Sequence, residues 1–279
     1  MSPKRWYLPL VGLTLTAMVL AGCGAFQATS TPLRQATVAS MPVPTIAPTA
    51  VAYEFETDPS WDYVALGDSD PAGYGVDGRS FVAYYAAAIE QDLGVAVRVD
   101  NRAISGQPAL GLLNQIKMDQ GLRDAISGAE VITIWTGWND IIRYVENPWT
   151  FSLCGDGEDL DVECVRKEAA SVSERIDAIL SEILALRSTD QALIRIADNA
   201  NFLVDVWKEA GVFEQLKGPG FDDWSRGIAD VAAKHNVPVV HSYAALNGPD
   251  GDEAIVAEYL WTDGFHLSAA GHKLVADLH

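Results

Sequence analysis

The chain has 279 residues, 38 acidic against 19 basic, for a formal net charge of −19. A surface this negative repels nucleic acid and anionic lipid headgroups and favours neutral or cationic partners, so a nucleic-acid-binding role is excluded.

Lys4 and Arg5 precede an apolar run, residues 6–21, that closes in Leu20-Ala21-Gly22-Cys23. The run is short for a membrane span, which needs about 20 apolar residues, and its basic start and small-residue end read as an export signal over residues 1–22. Leu-Ala-Gly-Cys resembles a bacterial lipobox. That implies a lipidated Cys23 at the mature N-terminus and a chain tethered to the cell membrane outside the cytoplasm. The alternative is an uncleaved signal anchor, with the same topology. Removing Lys4 and Arg5 leaves 17 basic residues against 38 acidic, a mature charge of −21. Residues 23–54 are rich in Ser, Thr, Pro and Ala, with Pro32, Pro42, Pro44 and Pro48 and no sustained apolar period, which is a linker composition. About 225 residues, 55–279, remain for one domain with a substantial core.

That domain opens with an apolar strand ending at Gly67, followed by Asp68, Ser69, Asp70 and Pro71 in a Gly/Pro-rich turn. Residues 79–93 place Val82, Tyr85, Ile89 and Leu93 on one helical face, with Gly94 as C-cap. Val95, Val97 and Val99 alternate into a second strand ending at Asp100-Asn101. A loop with Ser105 and Gly106 leads into a helical region up to Ser127, broken near Gly121. Val131–Trp135 is β-branched and apolar throughout, as a buried parallel strand should be. A helix over 166–187 spaces Val172, Ile176, Ile179, Ile183 and Leu186 for a core face. Residues 192–197 give a fourth strand, 222–235 a helix, 237–241 a fifth strand and 268–278 a closing helix. Two connections are long, 141–165 and 199–221. The alternation predicts an α/β fold: one parallel five-stranded sheet with helices on both faces.

A serine hydroxyl needs a base for its proton and donors for the oxyanion its attack creates. Asp263 and His266 stand three apart across Gly264, close enough for the carboxylate to hold one imidazole nitrogen and leave the other free as base. The stretches after the second and third strands carry Gly106 and Asn139, which suit oxyanion donation. Gly67-Asp68-Ser69, Gly106, Gly137-Trp138-Asn139-Asp140 and Asp263-Gly264-Phe265-His266 match in order the blocks of the SGNH/GDSL hydrolases, which the chain resembles from about Tyr63 to its end. The resemblance implies a flavodoxin-like three-layer α/β/α sandwich. Ser69 would be the nucleophile, His266 the base and Asp263 its orienter, with an oxyanion hole from the amides of Ser69 and Gly106 and the Asn139 side chain. Asp70-Pro71 departs from the usual aliphatic and polar pair, which points to a more acidic entrance with Asp70 as a substrate contact. Trp138, at a variable position, would wall the pocket.

Blander readings stand beside these. Ser69 alone is compatible with a helix cap. Asp68 and Asp140 read as hydrogen-bonding supports for their loops, and His272 as structural rather than a second base or metal ligand. His235 and His241 have no paired acid nearby in sequence. Trp149, Trp207 and Phe202 fit either core or a substrate groove. With Cys23 lipidated, Cys154 and Cys164 are left to form a disulfide in an oxidising compartment, the alternative being two free thiols. The acidic run between them, Asp156, Glu158, Asp159, Asp161 and Glu163, is a solvated loop before it is a calcium site. The expectation is a monomeric serine esterase for neutral carboxylic esters, short-chain acyl esters or acetylated glycans, needing no metal or organic cofactor. The alternative is a surface lipoprotein that binds glycan or a partner in the same crevice without hydrolysis.

Overall fold

The structure is a computed structural model and describes residues 60–141, 154 and 161–279. The signal segment, Cys23, the linker, Trp149 and acidic residues Asp156, Glu158 and Asp159 lie outside the described residues.

Five parallel strands form one sheet in the order β2-β1-β3-β4-β5: β1 (Ser60–Gly67), β2 (Ala96–Asn101), β3 (Val131–Trp135), β4 (Leu193–Ala197) and β5 (Val239–Val240). This is the flavodoxin-like order, in which the direction of strand addition reverses after β2, leaving a crevice at the carboxyl ends of β1 and β3. All five residues of β3 are buried, as its unbroken apolar run requires. Edge strand β2 keeps Ala96, Arg98, Val99 and Asn101 exposed.

Helices α2 (Phe81–Leu93) and α11 (Ala269–Leu278) pack together; α3 (Ala109–Met118), α4 (Gln120–Gly128), α6 (Val162–Leu186) and α9 (Asp223–Lys234) form a second group built around α6. α6 presents Val172, Ile176, Ile179 and Ile183 to the core, all fully buried. The predicted face was therefore the packed one.

Three boundaries differ from expectation. The break between α3 and α4 is at Asp119, not near Gly121: Asp119 leaves the helical region and its Oδ1 accepts from the Leu122 N–H at 3.0 Å, a helix cap, and Gly121 sits inside α4. α6 begins four residues earlier than 166, because Asp161 caps it by accepting from the Glu163 and Cys164 N–H groups. β5 holds only two residues, after which Ser242–Asn247 turns helical as α10. The connection 199–221 is not plain loop. It contains α7 (Val204–Glu209), α8 (Phe213–Leu216) and most of a π-helical turn, Lys217–Asp222. Trp207, at 1% exposure, is a core residue rather than a groove aromatic, and it packs against the buried Phe221. Cys154 and Cys164 are joined in a disulfide. Among the described residues no helix is long and apolar enough to cross a membrane.

Candidate active site

The passage from β1 to Ser69 depends on Gly67. It has φ +139°, and a Cβ there would stand 1.9 Å from the Trp135 carbonyl oxygen, so only glycine lets β1 run this close to the end of β3. The Asp68 N–H then donates to that same oxygen at 3.2 Å. The short helix α1 (Ser69–Ala72) begins at Ser69 with Asp68 in the cap position, so Ser69 is not the cap.

Ser69 Oγ lies 3.0 Å from His266 Nε2, across 197 residues of sequence. His266 Nδ1 lies 2.7 Å from Asp263 Oδ2, while Asp263 Oδ1 accepts from the Phe265 and His266 N–H groups at 2.9 and 3.0 Å. Partial burial works against ionisation of Asp263, but the His266 ring and these two N–H groups outweigh it and hold its pKa below the ordinary carboxylate value. An ionised carboxylate only accepts, so Nδ1 carries the proton and the Nε2 lone pair faces the serine hydroxyl. A hydroxyl so placed can pass its proton to the imidazole as it attacks.

Asn139, in the short helix α5 (Trp138–Ile141), donates through Nδ2 to Asp68 Oδ2 at 3.2 Å and the Gln107 carbonyl at 3.4 Å. Its neighbour Asp140 ties three elements together. Oδ2 accepts from the Ala109 N–H at the start of α3, and Oδ1 accepts from Arg175 of α6, both at 2.6 Å. The loop after β2 and the turn after β3, which carry Gly106 and Asn139, are thereby fixed to each other. Gly106 has φ +79° and open space where a Cβ would be. Among the described residues, no acceptor takes the N–H of Ser69 or Gly106.

These groups line a cavity of about 470 Å³. Trp138, 5% exposed, donates to the Ala200 carbonyl at 3.1 Å and packs its ring on Phe202 and Phe265 at 5.5 and 5.1 Å, forming an apolar wall. Tyr74, 47% exposed, sets its ring 4.5 Å from the His266 ring and meets Trp261 edge-on. Sequence reasoning assigned no role to Tyr74, Trp261 or Ser105, all of which line the cavity. The available signal was position: Ser105 and Trp261 lie within two residues of a motif block, and Tyr74 stands five residues past the first.

Asp70, expected as a substrate contact, lines the cavity and is 5% exposed, as Trp138 is. Its Oδ1 accepts from the Leu267 N–H at 3.2 Å and stands 4.0 Å from His272 Nε2. Burial pushes Asp70 up to about 6, against the pull of His266 and the Leu267 N–H. Burial and then the charge of Asp70 push Asp68 well above the usual range. His272 is fully buried, and burial lowers its pKa to about 4, leaving it neutral. His235 and His241 do have acids, Asp177 at 2.6 Å and Asp198 at 3.4 Å, supplied by distant parts of the chain. No cluster of His, Cys, Asp and Glu suited to a metal ion occurs among the described residues.

Fold and constellation together define an α/β protein of hydrolase type, with its cavity at the switch point of a parallel sheet. The chain belongs to the GDSL-like lipase/acylhydrolase family, whose sequence model matches residues 65–274. Among solved structures it is similar to the lipase Lip_vut3 from a goat rumen metagenome, at 22% identity and TM-score 0.63, over 78% of this chain and 95% of that one. It is also similar to Axe2, an acetylxylan esterase from Geobacillus stearothermophilus, at 17% identity and TM-score 0.52, over 78% and 91%. At these identities the likeness is one of fold. No curated protein matches the chain in sequence.

Proposed function

We propose that the protein is a serine esterase that cleaves neutral carboxylic esters through an acyl-enzyme. The observation that carries this is the unbroken hydrogen-bonded line Ser69 Oγ, His266, Asp263 at the cavity wall.

In the first half-reaction Ser69 Oγ attacks the ester carbonyl and its proton passes to His266 Nε2. Asp263 stabilises the imidazolium without taking the proton. The oxyanion is held by the N–H groups of Ser69 and Gly106 and by Asn139. The two bonds Asn139 now makes are longer than the usual 2.9–3.0 Å, so exchanging one for a full negative charge is favourable. His266 returns its proton to the leaving alcohol as the C–O bond breaks. Water then cleaves the Ser69 ester through the same base.

Neutral esters with a short acyl group, including acetyl groups on glycans, suit a chain of net charge −19 better than phospholipids do. Axe2, which shares the fold, is an acetylxylan esterase. We further propose export and lipid anchoring through Cys23. The Cys154–Cys164 disulfide supports an oxidising compartment. Hydrolysis of a chromogenic acetyl ester by the full chain tests the chemistry, with Ser69→Ala and His266→Ala expected to abolish it. Glycan binding with no hydrolysis and no labelling of Ser69 by a fluorophosphonate would instead indicate a binding protein. Mass spectrometry of the mature N-terminus should find lipid on Cys23, and an intact Met1 would show a signal anchor.

A further inference from the structure

The nucleophile's helix and the histidine's loop come from opposite ends of the domain, yet among the described residues two hydrogen bonds join them. One is the Ser69 to His266 bond at 3.0 Å; the other runs from the Leu267 N–H to Asp70 Oδ1 at 3.2 Å. The first is absent in the acyl-enzyme, because Ser69 Oγ is then an ester oxygen with no proton to donate. At that stage His266 must still hold its place, since it has to take a proton from the attacking water. We infer that Asp70 is a positioning residue for deacylation: by accepting from Leu267 it keeps the His266 loop on the nucleophile's helix while Ser69 is esterified.

The geometry suits this task. The residues tied are direct neighbours of the reacting pair, so the bond acts one residue from each. Asp70 is 5% exposed, which keeps water from competing for the Leu267 N–H. His272, fully buried, approaches the same oxygen, with Nε2 4.0 Å from Asp70 Oδ1, and neither of its ring nitrogens has a hydrogen-bond partner among the described residues. Among the described residues, the charged or titratable groups acting on Asp70 are His266, Asp263, Asp68 and His272, and only the Leu267 N–H is within hydrogen-bond distance of Oδ1. The flanking segments agree. Trp261 N–H donates to the His266 carbonyl and Ser268 N–H to the Tyr259 carbonyl, which leaves the Leu267 N–H to Asp70.

In the step concerned, water attacks the acyl carbonyl and gives a proton to His266 Nε2. The bond from the acyl carbon to Ser69 Oγ then breaks, Oγ recovers that proton, and the carboxylic acid leaves. Acylation begins with the Ser69 to His266 bond intact and relies on the second tie far less. The role rests on Ser69 being acylated as proposed above.

Stopped-flow hydrolysis of 4-nitrophenyl acetate by the full chain separates the two half-reactions. Asp70→Ala removes the acceptor, and Asp70→Leu removes it while filling the same volume and carries the test should Asp70→Ala not fold. Each is expected to release one equivalent of 4-nitrophenol in a burst and then turn over about 10- to 100-fold more slowly, with KM falling alongside kcat. Asp70→Asn keeps an amide oxygen for Leu267 and is expected to retain kcat within about threefold of the parent. Wild-type turnover in the first two variants, a fall with no burst, or an Asp70→Asn as slow as Asp70→Ala would overturn the positioning role. If Ser69→Ala still turns over the ester, the acyl-enzyme reading itself fails, a result distinct from any of these.

Discussion

Asp263 is 29% exposed in its side chain, yet a ring N–H and two backbone N–H groups keep it ionised and facing His266. Asp263→Asn offers the imidazole a donor as readily as an acceptor, and the wrong tautomer follows. A loss of about 10³–10⁴ in kcat without unfolding is expected, measured by steady-state kinetics beside a melt. Asn139→Ala should lower kcat about 10²–10³-fold with KM nearly unchanged; a rise in KM alone would remove Asn139 from the oxyanion hole. The Asp70 carboxyl makes a different statement, about stability. Its folded pKa of about 6 exceeds the ordinary 3.8, so between those values the folded state binds more protons than the unfolded one. Whatever stability this carboxyl contributes below pH 4 is therefore lost as pH rises to about 6. Asp70→Asn has no such proton. Relative to the parent it should gain on the order of 3 kcal/mol between pH 4 and pH 7 in urea melts, and a pH-independent difference would contradict the assignment. At this scale the convergence of Ser69, Asn139, Asp263 and His266 on one cavity was legible because each sits in a short contiguous block. That of Tyr74 and Trp261 was not, because a ring's direction is set by packing between blocks, here of Tyr74 on Trp261 and His266.

Among elements, the β1-to-α1 passage is the least forgiving. Gly67→Ala would force a methyl group against the Trp135 carbonyl at 1.9 Å, moving Ser69 or parting β1 from β3. We expect destabilisation above about 2 kcal/mol by denaturant unfolding and loss of activity beyond what stability explains. The disulfide holds the first turn of α6, and its ten-residue separation makes Cys164→Ser worth about 2.5–3 kcal/mol of stability by unfolded-chain entropy, read as a lower urea midpoint. The helices and strands with strong apolar periods were legible nearly to their ends. What escaped were features decided by caps and by tertiary burial. Asp119 breaks a helix that Gly121 tolerates. α7 and α8 contribute only a few core residues each, too short a run for a period to show, although Trp207 and Phe213 are buried.

Across the whole molecule, parallel strands alternating with helices predicted one parallel sheet, the family resemblance implied its flavodoxin-like order, and the observed 2-1-3-4-5 order places the motif-bearing strand ends of β1, β2 and β3 side by side. That adjacency brought three of the four short motifs to one cavity, and the loop before α11 brought the fourth. A net charge of −19 acts at the same scale. For an anionic ester, kcat/KM should rise as salt goes from about 10 mM to about 150 mM and the Debye length shrinks from about 30 Å to about 8 Å, while a neutral ester of equal size should change little. The most direct test of the central claim is the hydrolysis of a neutral acetyl ester by the full chain, followed while a fluorophosphonate titrates the protein. Activity is expected to vanish in proportion to a single adduct on the Ser69 peptide, and to be missing from the start in Ser69→Ala. Full activity in Ser69→Ala, or an adduct on another residue, would contradict it.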